Sequence, residues 1–168
     1  MVVCFTGHRP DKIAGWAHSP EVVERTIREA VAREIVRQSK EGAVEFVSGM
    51  APGFDLWAAD EVDRLRTEGA ISPATKLTLA IPYPRFERSF EECYHPLYNH
   101  IVEVADEVVY VSEHYHRGCY AMRNDHLVER ADTLIAYYEG TDGGTRYTLR
   151  KGQRKGCKCI NLHQGDLF

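Results

Sequence analysis

The chain has no run of about 18 apolar residues or more, so no membrane-spanning helix is expected. Basic charge is not in excess either. Lys and Arg number 21 against 25 Asp and Glu, a formal net charge of -4. A surface tuned to a nucleic-acid backbone normally shows the opposite balance, so nucleic acid is not the expected partner. No basic segment precedes the first apolar run after Met1, and no secretory signal is read there. The five cysteines, Cys4, Cys93, Cys119, Cys157 and Cys159, are an odd set with no Cys-x-x-Cys pair. They read as reduced thiols in a cytoplasmic protein. His114-Tyr115-His116-x-x-Cys119 could offer three zinc ligands, but its spacing matches no standard site. No metal and no cofactor is expected. Linkers, repeats and low-complexity tracts are absent, so residues 1–168 are expected to form one domain. Hydrophobic residues at 43% and charged residues at 27% suit a folded chain rather than a disordered one.

What the chain does have is three glycine turns, each after a short apolar run and before a helical pattern. They are Thr6-Gly7-His8-Arg9-Pro10, the stretch from Ser48-Gly49 to Gly53-Phe54-Asp55, and Gly140-Thr141-Asp142-Gly143-Gly144-Thr145. A strand, a glycine turn and a helix N-terminus together make a phosphate cradle. Glycine lets the backbone approach the anion, and the first helical N–H groups point at it.

Apolar runs at 2–5, 43–47, 76–81, 107–111, 133–138 and 158–162 read as strands, the second of them buried. Ser19 and Pro20 open a long helix that ends near Gly42, with Ile27, Val31 and Ile35 on its apolar face. Further helices are expected from Gly53, over 87–105 with a break at Pro96, over 120–131 and over 145–155. Strands alternating with helices predict an α/β, Rossmann-like fold: a mainly parallel sheet with helices on both faces. The basic residues Arg146, Arg150, Lys151, Arg154, Lys155 and Lys158 near the C-terminus read as a solvated helix face that complements the helix dipole.

Ligands of such sheets bind beyond the C-terminal strand ends. The candidate binding residues are therefore Thr6, Gly7, His8 and Arg9 from the first turn, and Ser48, Gly49, Gly53 and Asp55 from the second. Gly143, Gly144 and Thr145 come from the third. Arg9 and Arg123 are the candidate phosphate clamps, because guanidinium presents a planar fork of donors. Asn124 sits beside Arg123. Asp55 could bind a ribose hydroxyl, act as a general base, or simply complement its helix N-terminus. Tyr115 is placed on a ligand-facing loop as a stacking residue. Trp57 reads as core or partner contact, and Asp60 as surface or packing.

In order and placement, Thr6-Gly7-His8-Arg9, Ser48-Gly49 to Gly53-x-Asp55, Arg123-Asn124 and Gly143-Gly144-Thr145 resemble the SLOG superfamily of SMF/DprA and LOG proteins. Within it they are most similar to the bacterial YpsA-like group. The resemblance covers nearly the whole chain and implies a nucleotide or nucleotide-sugar-like ligand. LOG enzymes are phosphoribohydrolases that use an Arg before the fifth strand and a Glu in Gly-Gly-x-Gly-Thr-x-x-Glu. Arg123 matches that Arg. Thr148 stands where the Glu would be, and the second glycine spacing is absent, which argues against LOG-type hydrolysis. If catalysis exists, Asp55 and Arg123 are its candidates. The resemblance also implies a homodimer, to which the apolar Leu56-Trp57 pair could contribute. The leading expectation is a nucleotide-derivative sensor. A hydrolase of an N-glycosidic or phosphoanhydride bond is the first alternative, and a nucleic-acid-binding module the second.

Overall fold

A computed structural model describes residues 1–163. Among these residues six strands form one parallel sheet: β1 (Val2–Gly7), β2 (Glu45–Ser48), β3 (Lys76–Ile81), β4 (Glu107–Tyr110), β5 (Thr133–Tyr137) and β6 (Lys158–Asn161). Their order is β4-β3-β2-β1-β5-β6. The chain steps outward from β1 to β4, then returns to place β5 on the other side of β1. Val3 to Gly7 of β1 pair with Thr133 to Tyr137 of β5. The direction of winding therefore reverses between β1 and β5, which is where Rossmann-like sheets open a crevice.

Five α-helices connect the strands: α1 (Pro20–Lys40), α2 (Phe54–Thr67), α3 (His95–Val104), α4 (Cys119–Arg130) and α5 (Gly144–Lys155). Alternation along each strand divides the interior in two. Val3, Phe5, Phe46, Leu77 and Leu79 pack with the apolar faces of α1, α2 and α3. Cys4, Val47, Ala80 and Leu134 point the other way, toward Leu127 and Val128 of α4. The second face uses smaller side chains, and α5 lies close to it. A Cβ on Gly152 would stand 2.3 Å from Leu134 Cδ1. Small residues thus bring the α4 and α5 side of the molecule tight against β1 and β5.

Several sequence expectations shift. The single helix over 87–105 is instead two 3-10 turns, Phe86–Ser89 and Glu92–Tyr94, followed by α3. Pro96 sits in the first turn of α3, where its missing N–H costs nothing, rather than at a mid-helix break. The second strand starts at Glu45, not Ala43. The Ala43 N–H is held by Gln38 O in the C-terminal cap of α1, and Val44 is exposed. Leu56 and Trp57 cannot form a dimer surface. Both are fully buried, and Trp57 packs on Trp16 with ring centroids 5.5 Å apart. Asp60 binds Arg28 Nη1 at 2.7 Å, joining α1 to α2.

Candidate functional site

The C-terminal ends of β1 and β5 open into a cleft of about 210 Å³. Thr6, Gly7 and His8 form one wall, Asp55 and Arg123 the floor, and Arg9, Lys12, Gly143, Gly144 and Thr145 the rim. The N-terminal turns of α2, α4 and α5 all contribute to it. Asn124 also lines the cleft, so residues from all three turns and from α4 meet there.

The floor is built from buried polar groups. Arg123 is 6% exposed and has no carboxylate within ion-pair distance among the described residues. Its Nε donates to Asn124 Oδ1 at 2.8 Å, and its Nη1 donates to Gly49 O. A Cβ at position 49 would stand 2.7 Å from Arg123 Nη1, so glycine is what leaves room for the guanidinium. Burial pulls the Arg123 pKa down, and Asp55 pulls it back up.

Asp55 is 5% exposed, and its Oδ1 has no hydrogen-bond partner among the described residues. Burial pushes its carboxyl up to about 6, against the opposing pull of Arg123, the Ala51 N–H and Arg9. A carboxyl in that range can exchange a proton near neutral pH. Alternatively, its free oxygen can accept a hydrogen bond from a ligand hydroxyl.

The rim differs. Arg9 is half-buried and Lys12 exposed, and neither side chain makes a hydrogen bond or ion pair among the described residues. Lys12 Nζ would lie 3.0 Å from a Cβ on Gly143. Gly143 caps α5 with φ of 147° and ψ of -164°, backbone that favours glycine. Gly143 and Gly144 are both exposed, leaving the first N–H groups of α5 open to the cleft. Arg9, Lys12 and Arg123 set three cations against the one carboxylate of Asp55.

His8 ties the two strand ends together. Its N–H donates to Tyr137 O, and its Nε2 accepts the Glu139 N–H at 3.0 Å. The ring is therefore neutral with its proton on Nδ1, and burial lowers its pKa.

Four expected binding residues lie outside the cleft lining. Ser48 is fully buried; its Oγ donates to Asp55 O and accepts the Met50 N–H. It supports a Met50 backbone held at φ of 64°, unusual for a non-glycine residue. Gly49 makes space for Arg123. Gly53, at φ of 91°, has no room for a side chain: a Cβ there would stand 2.8 Å from His8 O. Tyr115 is 64% exposed and packs edge-on against Tyr83 and Tyr120. Thr148, in the place of the LOG glutamate, is fully buried and its Oγ1 donates to Gly144 O. It takes no part in the cleft wall.

Lys12, Ala51 and Tyr120 line the cleft without having been read from the sequence. Two had a signal. Lys12 follows Arg9 by one 3-10 turn, and Tyr120 precedes Arg123 by one helical turn, which puts each pair on one side. Among the described residues, no group of three His, Cys, Asp or Glu could hold a metal ion. No helix among them is long and apolar enough to cross a membrane.

Comparison with known proteins agrees with this architecture. A UPF0398 protein of Bacillus cereus (strain ATCC 14579) is 25% identical over 158 residues, covering 92% of this chain and 84% of that one. A UPF0398 protein of Halalkalibacterium halodurans is 26% identical over 157 residues, covering 92% and 81%. The fold is similar to the X-ray structure of DNA processing protein A (DprA) from Streptococcus pneumoniae, with a TM-score of 0.64 at 15% identity. That match covers 98% of this chain, which spans about half (51%) of DprA. The structure of TM1055 gives a TM-score of 0.57 at 13% identity, covering 94% of this chain and 71% of that one. Residues 3–161, which contain every strand of the sheet but the first residue of β1, match the YspA SLOG family, and the chain belongs to it.

Proposed function

We propose that the cleft binds a nucleotide or nucleotide-sugar-like molecule through its phosphate, and that the protein is a cytoplasmic sensor of that ligand. One observation carries this reading. Arg9 and Lys12 stand without partners of their own beside the open N-terminus of α5 at Gly143 and Gly144. Helix N–H groups and charge-assisted donors converging on one point suit an oxyanion. SLOG membership and the five free cysteines fit a nucleotide-related role in a reducing compartment. In this reading the whole chain is one binding domain, assembled as a homodimer through a surface other than Leu56-Trp57.

The test is a thermal-shift screen with nucleoside phosphates, NAD and ADP-ribose. A ligand at 100 times its dissociation constant should stabilise the protein by about 2.7 kcal/mol. Arg9→Ala combined with Lys12→Ala should remove the shift. An equal shift in that variant, or no shift with any phosphate compound, would sink the reading. DNA binding with a steep salt dependence would replace it with a nucleic-acid role.

Asp55 favours a second reading, hydrolysis of an N-glycosidic or phosphoanhydride bond. A buried carboxyl with a free oxygen and a pKa near 6 is suited to proton transfer. Incubation with AMP and cytokinin-type nucleoside monophosphates, followed by chromatography for released base, decides it. Release that is lost in Asp55→Asn supports the enzyme. Tight binding without any product supports the sensor.

A further inference from the structure

At about 210 Å³, the cleft is smaller than the roughly 300–1,000 Å³ typical of small-molecule sites. It has room for phosphate and ribose but not for a base as well. A second groove of about 600 Å³ shares Arg9 with the cleft as a lining residue. The groove runs between the segment after β1 and the two 3-10 turns before α3.

The two chambers have opposite chemistry. The cleft holds the cations. The groove has half-buried aromatic walls, Trp16, Phe90 and Tyr94. Its exposed carboxylates, Asp11 and Glu91, make no ion pair among the described residues. Glu91 has only a weak 3.8 Å contact from Cys93 Sγ. Aromatic surface stacks on a base regardless of its identity. Unpaired carboxylates accept hydrogen bonds from amino groups and reject a second phosphate. Pro10, Pro20 and Pro52 stiffen the walls.

We propose that the groove is the base-binding half of a bipartite nucleotide site, taking a purine with an exocyclic amino group while the cleft takes its 5′-phosphate. Arg9 stands at the junction, where it can reach the phosphate from the ribose side. This rests on the phosphate reading of the cleft and adds to it the class of ligand and the residues that read the base.

Cys93 provides the test, because it is exposed and lines the groove. Its alkylation by iodoacetamide is followed by peptide mass spectrometry with AMP, GMP or ribose 5-phosphate. AMP or GMP at ten times its dissociation constant should slow Cys93 alkylation about tenfold, since only about a tenth of the protein stays free. Ribose 5-phosphate should raise the melting temperature without protecting Cys93. Glu91→Gln, an exposed position whose loss does not threaten the fold, should weaken AMP or GMP about tenfold. It should leave ribose 5-phosphate unaffected. If AMP and GMP bind, with a shift lost in Gly144→Val, yet Cys93 reacts at its free rate, the base lies elsewhere. The groove proposal then falls while the phosphate reading stands. If none of the three compounds shifts the melting temperature, both fall.

Discussion

The floor and the rim of the cleft use the same residue types for different ends. Around the floor, Gly7 in the wall and Gly49 beneath Arg123 are packing residues. A Cβ at Gly7 would meet Phe54 at 2.4 Å, and one at Gly49 would meet Arg123. The floor arginine, Arg123, is anchored by Gly49 O and Asn124 Oδ1 through its Nε and Nη1. On the rim, Gly143 and Gly144 are exposed, and Arg9 and Lys12 have no side-chain partners of their own. A glycine or an arginine at a strand end is therefore not by itself a ligand contact. What distinguishes the two is whether the chain already satisfies the group. Asp55 is the exception on the floor, since it is buried there with one oxygen left over.

The largest expected effect is around the floor, at Gly7 in the wall. Gly7→Ala forces a methyl into Phe54, which is fully buried, so the protein should lose about 3 kcal/mol of stability, read by urea denaturation. A change under about 0.5 kcal/mol would show that the floor is looser than described.

Gly144→Val should do the reverse. Position 144 is exposed, and the nearest side-chain atom to its new Cβ is Asn124 Nδ2 at 3.2 Å. Stability should move by less than about 1 kcal/mol. Phosphate-ligand affinity, measured by calorimetry, should fall about a hundredfold, or about 2.7 kcal/mol. A folded variant with unchanged affinity would place the anion elsewhere.

Asp55→Asn sharpens the contrast. The Asp55 pKa is about 6 in the fold against 3.8 when exposed. Between those values the folded state binds the extra proton, so the contribution of Asp55 to stability falls as pH rises from about 4 to 6. Above pH 6 the ionised carboxylate costs the fold about 3 kcal/mol. Asp55→Asn should recover that amount at pH 7, seen as a higher melting temperature, and should remove the slope. A variant less stable at pH 7 would mean that Asp55 holds the fold together rather than serving the cleft.

His8 gives the smallest effect, with the opposite sign. Its pKa is lowered below 6.5, so the unfolded chain takes up the proton first as pH drops. Its contribution is complete above 6.5 and is lost as pH falls below that. Protonation also ends the acceptor role of Nε2 toward the Glu139 N–H. In an Asp55→Asn background, stability should decline as pH falls through 6.5, and His8→Gln should flatten that decline. A flat profile in Asp55→Asn alone would deny His8 this role.

Sequence reading reached much of the fold because the fold is written in local signals. Apolar runs with alternating faces mark β1 to β6, and Ser19-Pro20 and Gly42 bound α1. It also marked the turns whose residues meet in the cleft, since strand–glycine–helix patterns must lie at one edge of a parallel sheet. It misread the 87–105 stretch, where apolar periodicity continued across two 3-10 turns that only dihedral angles distinguish from helix. It placed Tyr115 on a ligand-facing loop, whereas the aromatic residue that lines the cleft is Tyr120 of α4.

Alternation, turn chemistry and helix boundaries depend on neighbours a few residues apart, so the chain by itself determined an α/β sheet with glycine turns at its edge. Which of those glycines and arginines remain open depends on groups far apart in sequence. Gly49 is filled by Arg123, 74 residues away, and His8 is locked to Glu139 across 131. Burial of Asp55 with a free oxygen, and the sharing of Arg9 between two chambers, arise only when α2, α4 and α5 converge on the β1–β5 crevice. Desolvation and close packing belong to that convergence, and no local pattern carries them.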